Sequence, residues 1–173
     1  FLNYLEEAEA PITQTKTIAT NVLYHGKGIA GLTNVKFFSG PLVTTDTNII
    51  GSFVRPESEH FFINAIRYYE GNVASDDPSK QEWVRGLNGA FVDVSLNQSV
   101  ITINNNGLDV LKNMPLTEFD SDLTTKDQGT LYLDNGILWK GQNELKFELR
   151  TLSGDAYNIN QAVRFDLVGL ALV

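Results

Sequence analysis

Apolar and polar residues alternate along much of this chain, and the cleanest case is Leu145–Arg150. Leu145, Phe147 and Leu149 fall on one side, and Lys146, Glu148 and Arg150 on the other. Period two is the pattern of a strand with one buried and one wet face. Just upstream, two apolar runs are joined by Asp134-Asn135-Gly136. Asn-Gly between hydrophobic runs predicts a tight hairpin, because both central residues of that turn adopt positive φ. Lys140-Gly141-Gln142-Asn143 separates off the third run. The sequence therefore predicts a three-run β-meander over Thr130–Arg150.

The same reading places further strands along the chain. Thr15–Tyr24 is rich in Thr, Ile and Val, and His25-Gly26-Lys27-Gly28 is expected to break it. Val35, Phe37 and Phe38 form a short strand closed by Ser39-Gly40-Pro41. Thr47–Val54 reads as another, with Gly51 as a bulge and Arg55-Pro56 as its end. Glu59–Gly71 fits either a helical or a strand face, and its aromatic and β-branched residues favour strand. Val92, Val94 and Leu96 alternate with Asp93 and Ser95, and Asn97-Gln98 turns the chain into Val100–Ile103. Leu108–Phe119 is irregular with one helical turn. Val163, Phe165, Leu167 and Gly169 alternate with Arg164 and Asp166, and the apolar run Leu170–Val173 is expected to be covered on both faces. Asn72–Lys80 and Ser121–Gly129 are polar loops. Eight to ten strands with little helix predict an all-β sandwich or barrel.

The first twelve residues, FLNYLEEAEAPI, stand apart. They are too short for an independent helix, and Pro11 stops one. They read as a short helix on the domain edge or as an arm, residues 1–12, preceding one domain over 13–173. Phe1, Leu2, Tyr4 and Leu5 would anchor the arm on a neighbouring subunit.

Composition narrows the chemistry. The chain has 173 residues, no Cys, and a formal net charge of −8. Disulfides, thiolate nucleophiles and Cys-ligated metals are excluded. The acidic balance and the absence of a basic arm argue against direct nucleic-acid binding. No apolar run approaches the ~20 residues that span a bilayer.

The candidate motifs fail on their context. Gly26-Lys27-Gly28-Ile29-Ala30-Gly31 matches GxGxxG, but a dinucleotide site needs a following helix, and Leu32–Phe38 is strand-like. His25 and His60 are far apart in sequence, so no imidazole metal centre is expected. Ser58 and Ser99 sit in no strained elbow. Asp120-Ser121-Asp122 opens like a calcium loop, but Thr125 and Leu131 stand where Gly and Glu are required. Asn97-Gln98-Ser99 is a glycosylation sequon at a turn. No carboxylate pair is selected for glycosidase chemistry. No catalytic, cofactor-binding or metal-ligating residue is assigned, and no enzyme activity is expected.

Three stretches carry a likeness to a known family. They are Val54–Phe62, an aromatic strand after a Pro-containing turn; Trp139–Leu145, a loop feeding an alternating strand; and Val163–Gly169. In these the chain resembles jelly-roll capsid and virion proteins of icosahedral bacterial viruses. The resemblance implies a jelly-roll β-sandwich with a short N-terminal arm. It implies a structural capsid or penton subunit within the virion, partnered by copies of itself and other virion proteins. The competing expectation is a carbohydrate-binding or adhesin-like sandwich, with Trp83, Trp139, Tyr68 or Tyr69 stacking on sugar rings.

Overall fold

The computed structural model describes residues 18–43, 46–72, 83–85, 94–120, 129–158 and 161–172. Nine strands run through them: β1 Ile18–Gly28, β2 Asn34–Phe37, β3 His60–Asn72, β4 Trp83–Arg85, β5 Ser99–Asn105, β6 Leu108–Pro115, β7 Thr130–Trp139, β8 Leu145–Thr151 and β9 Gln161–Leu172. A one-turn helix, α1 (Val94–Asn97), precedes β5, and a 3-10 turn (Leu116–Asp120) follows β6.

Two antiparallel sheets pack face to face. The first has the order β1-β9-β3, with β7 and then β4 sharing the far side of β3. The second has the order β2-β8-β5-β6. Apart from the three-residue β4, this is an eight-stranded jelly roll. The predicted all-β, jelly-roll class is the one observed.

Period two explains the core. Leu145, Phe147 and Leu149 of β8 are fully buried, whereas Lys146 is exposed and Glu148 and Arg150 are half-buried. From the opposite sheet, Val163, Phe165 and Leu167 of β9 meet them, also fully buried. Phe147 and Phe165 touch across the sandwich with ring centroids 4.5 Å apart, and Phe37 meets Phe165 edge-on at 5.0 Å. The register read from sequence for β8 is therefore correct.

Several local expectations are overturned. Asn135-Gly136 makes no hairpin, because β7 runs unbroken to Trp139 and both of its halves pair with β3. Leu133–Gly136 swells out opposite the single residue Asn64. Gly136 has φ 62, but Asn135 does not share it, so the requirement of a type I′ turn is unmet. The glycine serves packing instead: an added methyl would strike the Phe62 ring. Nor is Thr130–Arg150 a meander, since β7 and β8 lie in different sheets. The two-residue Asn-Gly hairpin of the described residues is Asn106-Gly107, where both φ angles are positive (52 and 87) and Asn105 pairs with Leu108.

His25–Gly28 does not break β1, which pairs with β9 as far as Gly28↔Ala162. Thr47–Val54 is not a strand. Its first residues strap the outer edge of β1, largely through side chains. The Asn48 amide accepts from the Tyr24 N–H (2.8 Å) and donates to the Val22 carbonyl (2.7 Å). The Thr47 hydroxyl donates to the Tyr24 carbonyl, and Gly26 N–H donates to the Asp46 carbonyl (2.7 Å). The strap satisfies an edge that would otherwise template another strand. Val94–Leu96 is the start of α1, not of a strand, and Leu108–Pro115 is a strand where irregular chain was expected. Residues 1–17, most of the Asp120–Leu131 segment, and the polar loop after Asn72 lie outside the described residues.

One glycine is fixed by close approach. Asn64 bulges between Ile63↔Gly169 and Ala65↔Val168, and this presses the Phe62 carbonyl onto Gly169, where a Cβ would collide with it. Backbone cannot swing aside as a side chain tip can. Gly169→Ala is expected to destabilise the fold by about 1–3 kcal/mol through overpacking. Urea denaturation checks this, and a loss below ~0.5 kcal/mol, the usual scale of surface changes, would contradict the close approach.

Candidate interaction surface

The outward face of the first sheet breaks the usual rule. One face of an antiparallel sheet packs on the core and the other is expected to be polar. Cross-strand register places the outward residues in rows. Val22, Val168, Ala65 and Tyr132 form one row across β1, β9, β3 and β7. Beside it, Thr20, Leu170, Phe62 and Leu138 form a second. Val22, Val168, Leu170, Phe62 and Leu138 are half-buried, Ala65 is buried, and Tyr132 is 63% exposed. Seven apolar or aromatic side chains thus sit together where a solvated sheet would carry polar ones.

The next rows along the same face are charged. Tyr24, Asp166, Arg67 and Thr130 follow, then Gly26, Arg164 and Tyr69. Arg164 grips Asp166 with two parallel bonds, Nε to Oδ1 at 2.6 Å and Nη2 to Oδ2 at 3.1 Å. Its guanidinium lies over the Tyr24 ring at 4.0 Å and near the Tyr69 ring at 5.3 Å. The bidentate pair and the cation–π stack staple β1, β9 and β3 together on their outer side. Both oxygens of the buried Asp166 are taken by Arg164, and the buried Nε of the adjacent Arg67 has no hydrogen-bond partner. This face is therefore apolar at the end where β1 begins and arginine-bearing at the other.

A second apolar region lies along the open side of the sandwich. Leu108 is 73% and Val110 41% exposed on β6. A cleft of about 170 Å³ runs from Val110 and Leu111 to Leu133–Ile137 of β7. Strand addition is blocked there. The β5–β6 ladder shifts register twice, Asn113 has φ 51, and the strand ends on Pro115. Bulges and Pro are the devices that protect an edge.

The sequence candidates are scattered. His25 points into the core, stacked on Phe53 at 4.7 Å, and its Nδ1 accepts the Phe38 N–H at 2.7 Å. Burial, with a smaller contribution from Lys27, lowers its pKa from 6.5 to about 3. His60 is buried at the sheet end, where its Nδ1 accepts the Gly141 N–H at 2.9 Å. Ser99 is buried and bonds the Tyr157 hydroxyl at 2.9 Å, so the sequon's hydroxyl is engaged in the core. The GxGxxG stretch runs from the end of β1 into a turn, and β2 rather than a helix follows it. Arg55 is buried beside Glu59 (2.9 Å), and burial lowers its pKa while Glu59 raises it.

Of the four aromatics considered for sugar stacking, Trp139 and Tyr68 are fully buried. The Trp139 indole N–H donates to the Asn143 carbonyl at 2.9 Å. Trp83 is half-buried and packs against Gly26. Tyr69 is half-buried and faces Arg164. The four do not form a common platform. The arm residues Phe1, Leu2, Tyr4 and Leu5 lie outside the described residues. Among the described residues, no group of three metal-ligating side chains occurs, and no helix is long and apolar enough to cross a membrane.

The outward rows were missed in the sequence because they form only once four strands are in register. The available signal was Val168–Leu172, a run without the polar alternation that precedes it. No protein-family model matches this chain, and no curated protein matches it.

Proposed function

We propose that this chain is a structural virion protein, a jelly-roll capsid or penton subunit that self-assembles and has no enzymatic role. The fold alone does not assign this, since jelly rolls also serve as lectin and cupin domains. The observation that carries the reading is the apolar half of the outward sheet face, Val22, Val168, Leu170, Phe62, Leu138 and Tyr132. Exposed apolar surface marks an association site, and on this face Tyr132 is exposed and the other five are half-buried. Closed symmetric assembly is the usual way copies of one chain bury it. The partners are copies of this chain and other virion proteins, and the place of action is the capsid. The glycan-binding alternative is weakened because two of its four aromatics lie in the core.

Light scattering on the purified chain tests the reading. The expected result is a mass above the monomer that rises with concentration, and a shift toward monomer in Val168→Lys. Val168 is half-buried on the outward face, so the variant should keep its β circular dichroism. A monomer at every concentration that binds immobilised glycans would favour the adhesin reading and contradict this one.

A further inference from the structure

We propose that the N-terminal segment Phe1–Glu9 of a neighbouring copy docks on the outward face of the first sheet, an inference that rests on the self-assembly reading. Its apolar residues would lie over the Val168 and Leu170 rows and its glutamates at Arg67.

The sequence of the segment matches the polarity of the face. It opens with Phe1, Leu2, Tyr4 and Leu5 and continues with Glu6, Glu7 and Glu9. The face opens with the Leu170 and Val168 rows and continues with Arg67 and then Arg164. One row to the next is two residues, ~7 Å, and an extended segment advances at the same rate. Apolar residues at 1, 2, 4 and 5 and acids at 6, 7 and 9 therefore coincide with apolar rows followed by an arginine. Arg67 is the better donor to an acidic partner. The carboxylate beside it is already held by Arg164. Opposite charges placed in register give specificity to such a contact.

Chain geometry favours a second copy over the same molecule. β1 begins at Ile18, at the apolar end of the face. From Ile18 to Gly26 the face is ~26 Å long. Folding back once before Ile18 would lay Thr13-Gln14-Thr15-Lys16 on the apolar rows. It would also carry Phe1–Leu5 past the arginine end. Matching the observed polarity within one molecule needs a second reversal. A neighbouring copy delivers the segment with neither.

The absence of Cys makes a cross-linking test unambiguous. One preparation carries Leu2→Cys and another Leu138→Cys; the two are mixed and treated with a short bis-maleimide. The expected product is a cross-linked pair containing one chain of each kind. Its yield should fall several-fold when Glu6 and Glu7 are changed to Lys and recover with Arg67→Glu in the receiving chain. Absence of the mixed pair overturns the proposal. So does a Leu2→Cys/Leu138→Cys double variant that links only within one chain. Light scattering on the same samples separates the two levels. Assembly without cross-linking removes the arm's seat and leaves the assembly reading standing. Loss of assembly in the unmodified chain removes both.

Discussion

Phe147→Ala is expected to cost about 3–5 kcal/mol, the range for deleting a buried phenyl ring. Phe147 is fully buried on β8 and reaches rings from both sheets. Phe165 of β9 lies 4.5 Å away, Phe38 6.0 Å and Phe37 6.1 Å. Phe165 sits on β9, paired on both sides with β1 and β3, and Phe37 is paired directly with Phe147 in the β2–β8 ladder, so these two have little freedom to collapse into the vacated space. The large end of the range follows from that, because residual cavity volume sets the penalty. Urea denaturation measures the loss. Lys146→Ala, one position along and exposed, should stay within ~0.5 kcal/mol. Equal effects at the two positions would mean that the strand faces are assigned to the wrong sides.

Acid should weaken the fold through His25. In the folded chain its pKa is lowered from 6.5 to about 3, first by burial and then by Lys27. Its Nδ1 accepts the Phe38 N–H, so protonating that nitrogen also breaks a buried hydrogen bond. The sign follows from linkage. Between pH 6.5 and 3 the unfolded chain binds a proton at this site and the folded chain does not. The stabilisation is therefore complete above 6.5 and is lost as the pH falls toward 3, by at most about 1.4 kcal/mol per pH unit. His25→Asn offers an acceptor oxygen without a titrating ring. Denaturation series at pH 7, 6 and 5 should show the parent losing stability faster than this variant. Parallel pH profiles would contradict the account.

Local signals were the legible part of this sequence. β8 and most of β9 follow from alternation alone, because one face of each strand meets the core directly. The Asn-Gly signal is also local, and the turn it describes occurs at Asn106-Gly107, where no hairpin was expected and β5 turns directly into its neighbour β6. It failed at Asn135-Gly136, where β3 offers a partner to the chain on both sides of the glycine and outweighs the turn preference. Thr47–Val54 has strand-like composition, but it adds only the single bridge Thr47↔His25 to β1, and Thr47 and Asn48 otherwise bond that edge through their side chains. Of the outward rows only Leu170 was legible, in the run Leu170–Val173 expected to be covered on both faces, since Val22, Ala65, Tyr132 and Val168 come from four separate strands. Their meeting depends on register, including the bulge at Asn64 that sets Ala65 beside Val168.

The most direct test of the assembly surface is hydroxyl-radical footprinting at low and high protein concentration. Tyr132 on the apolar face is 63% exposed, whereas Leu108, 73% exposed, lies on β6 of the other sheet. The account predicts that Tyr132, Val168 and Leu138 become protected as the mass rises, while Leu108 keeps its reactivity. Protection of Leu108 with Tyr132 unchanged would place the contact on the open side of the sandwich and contradict it.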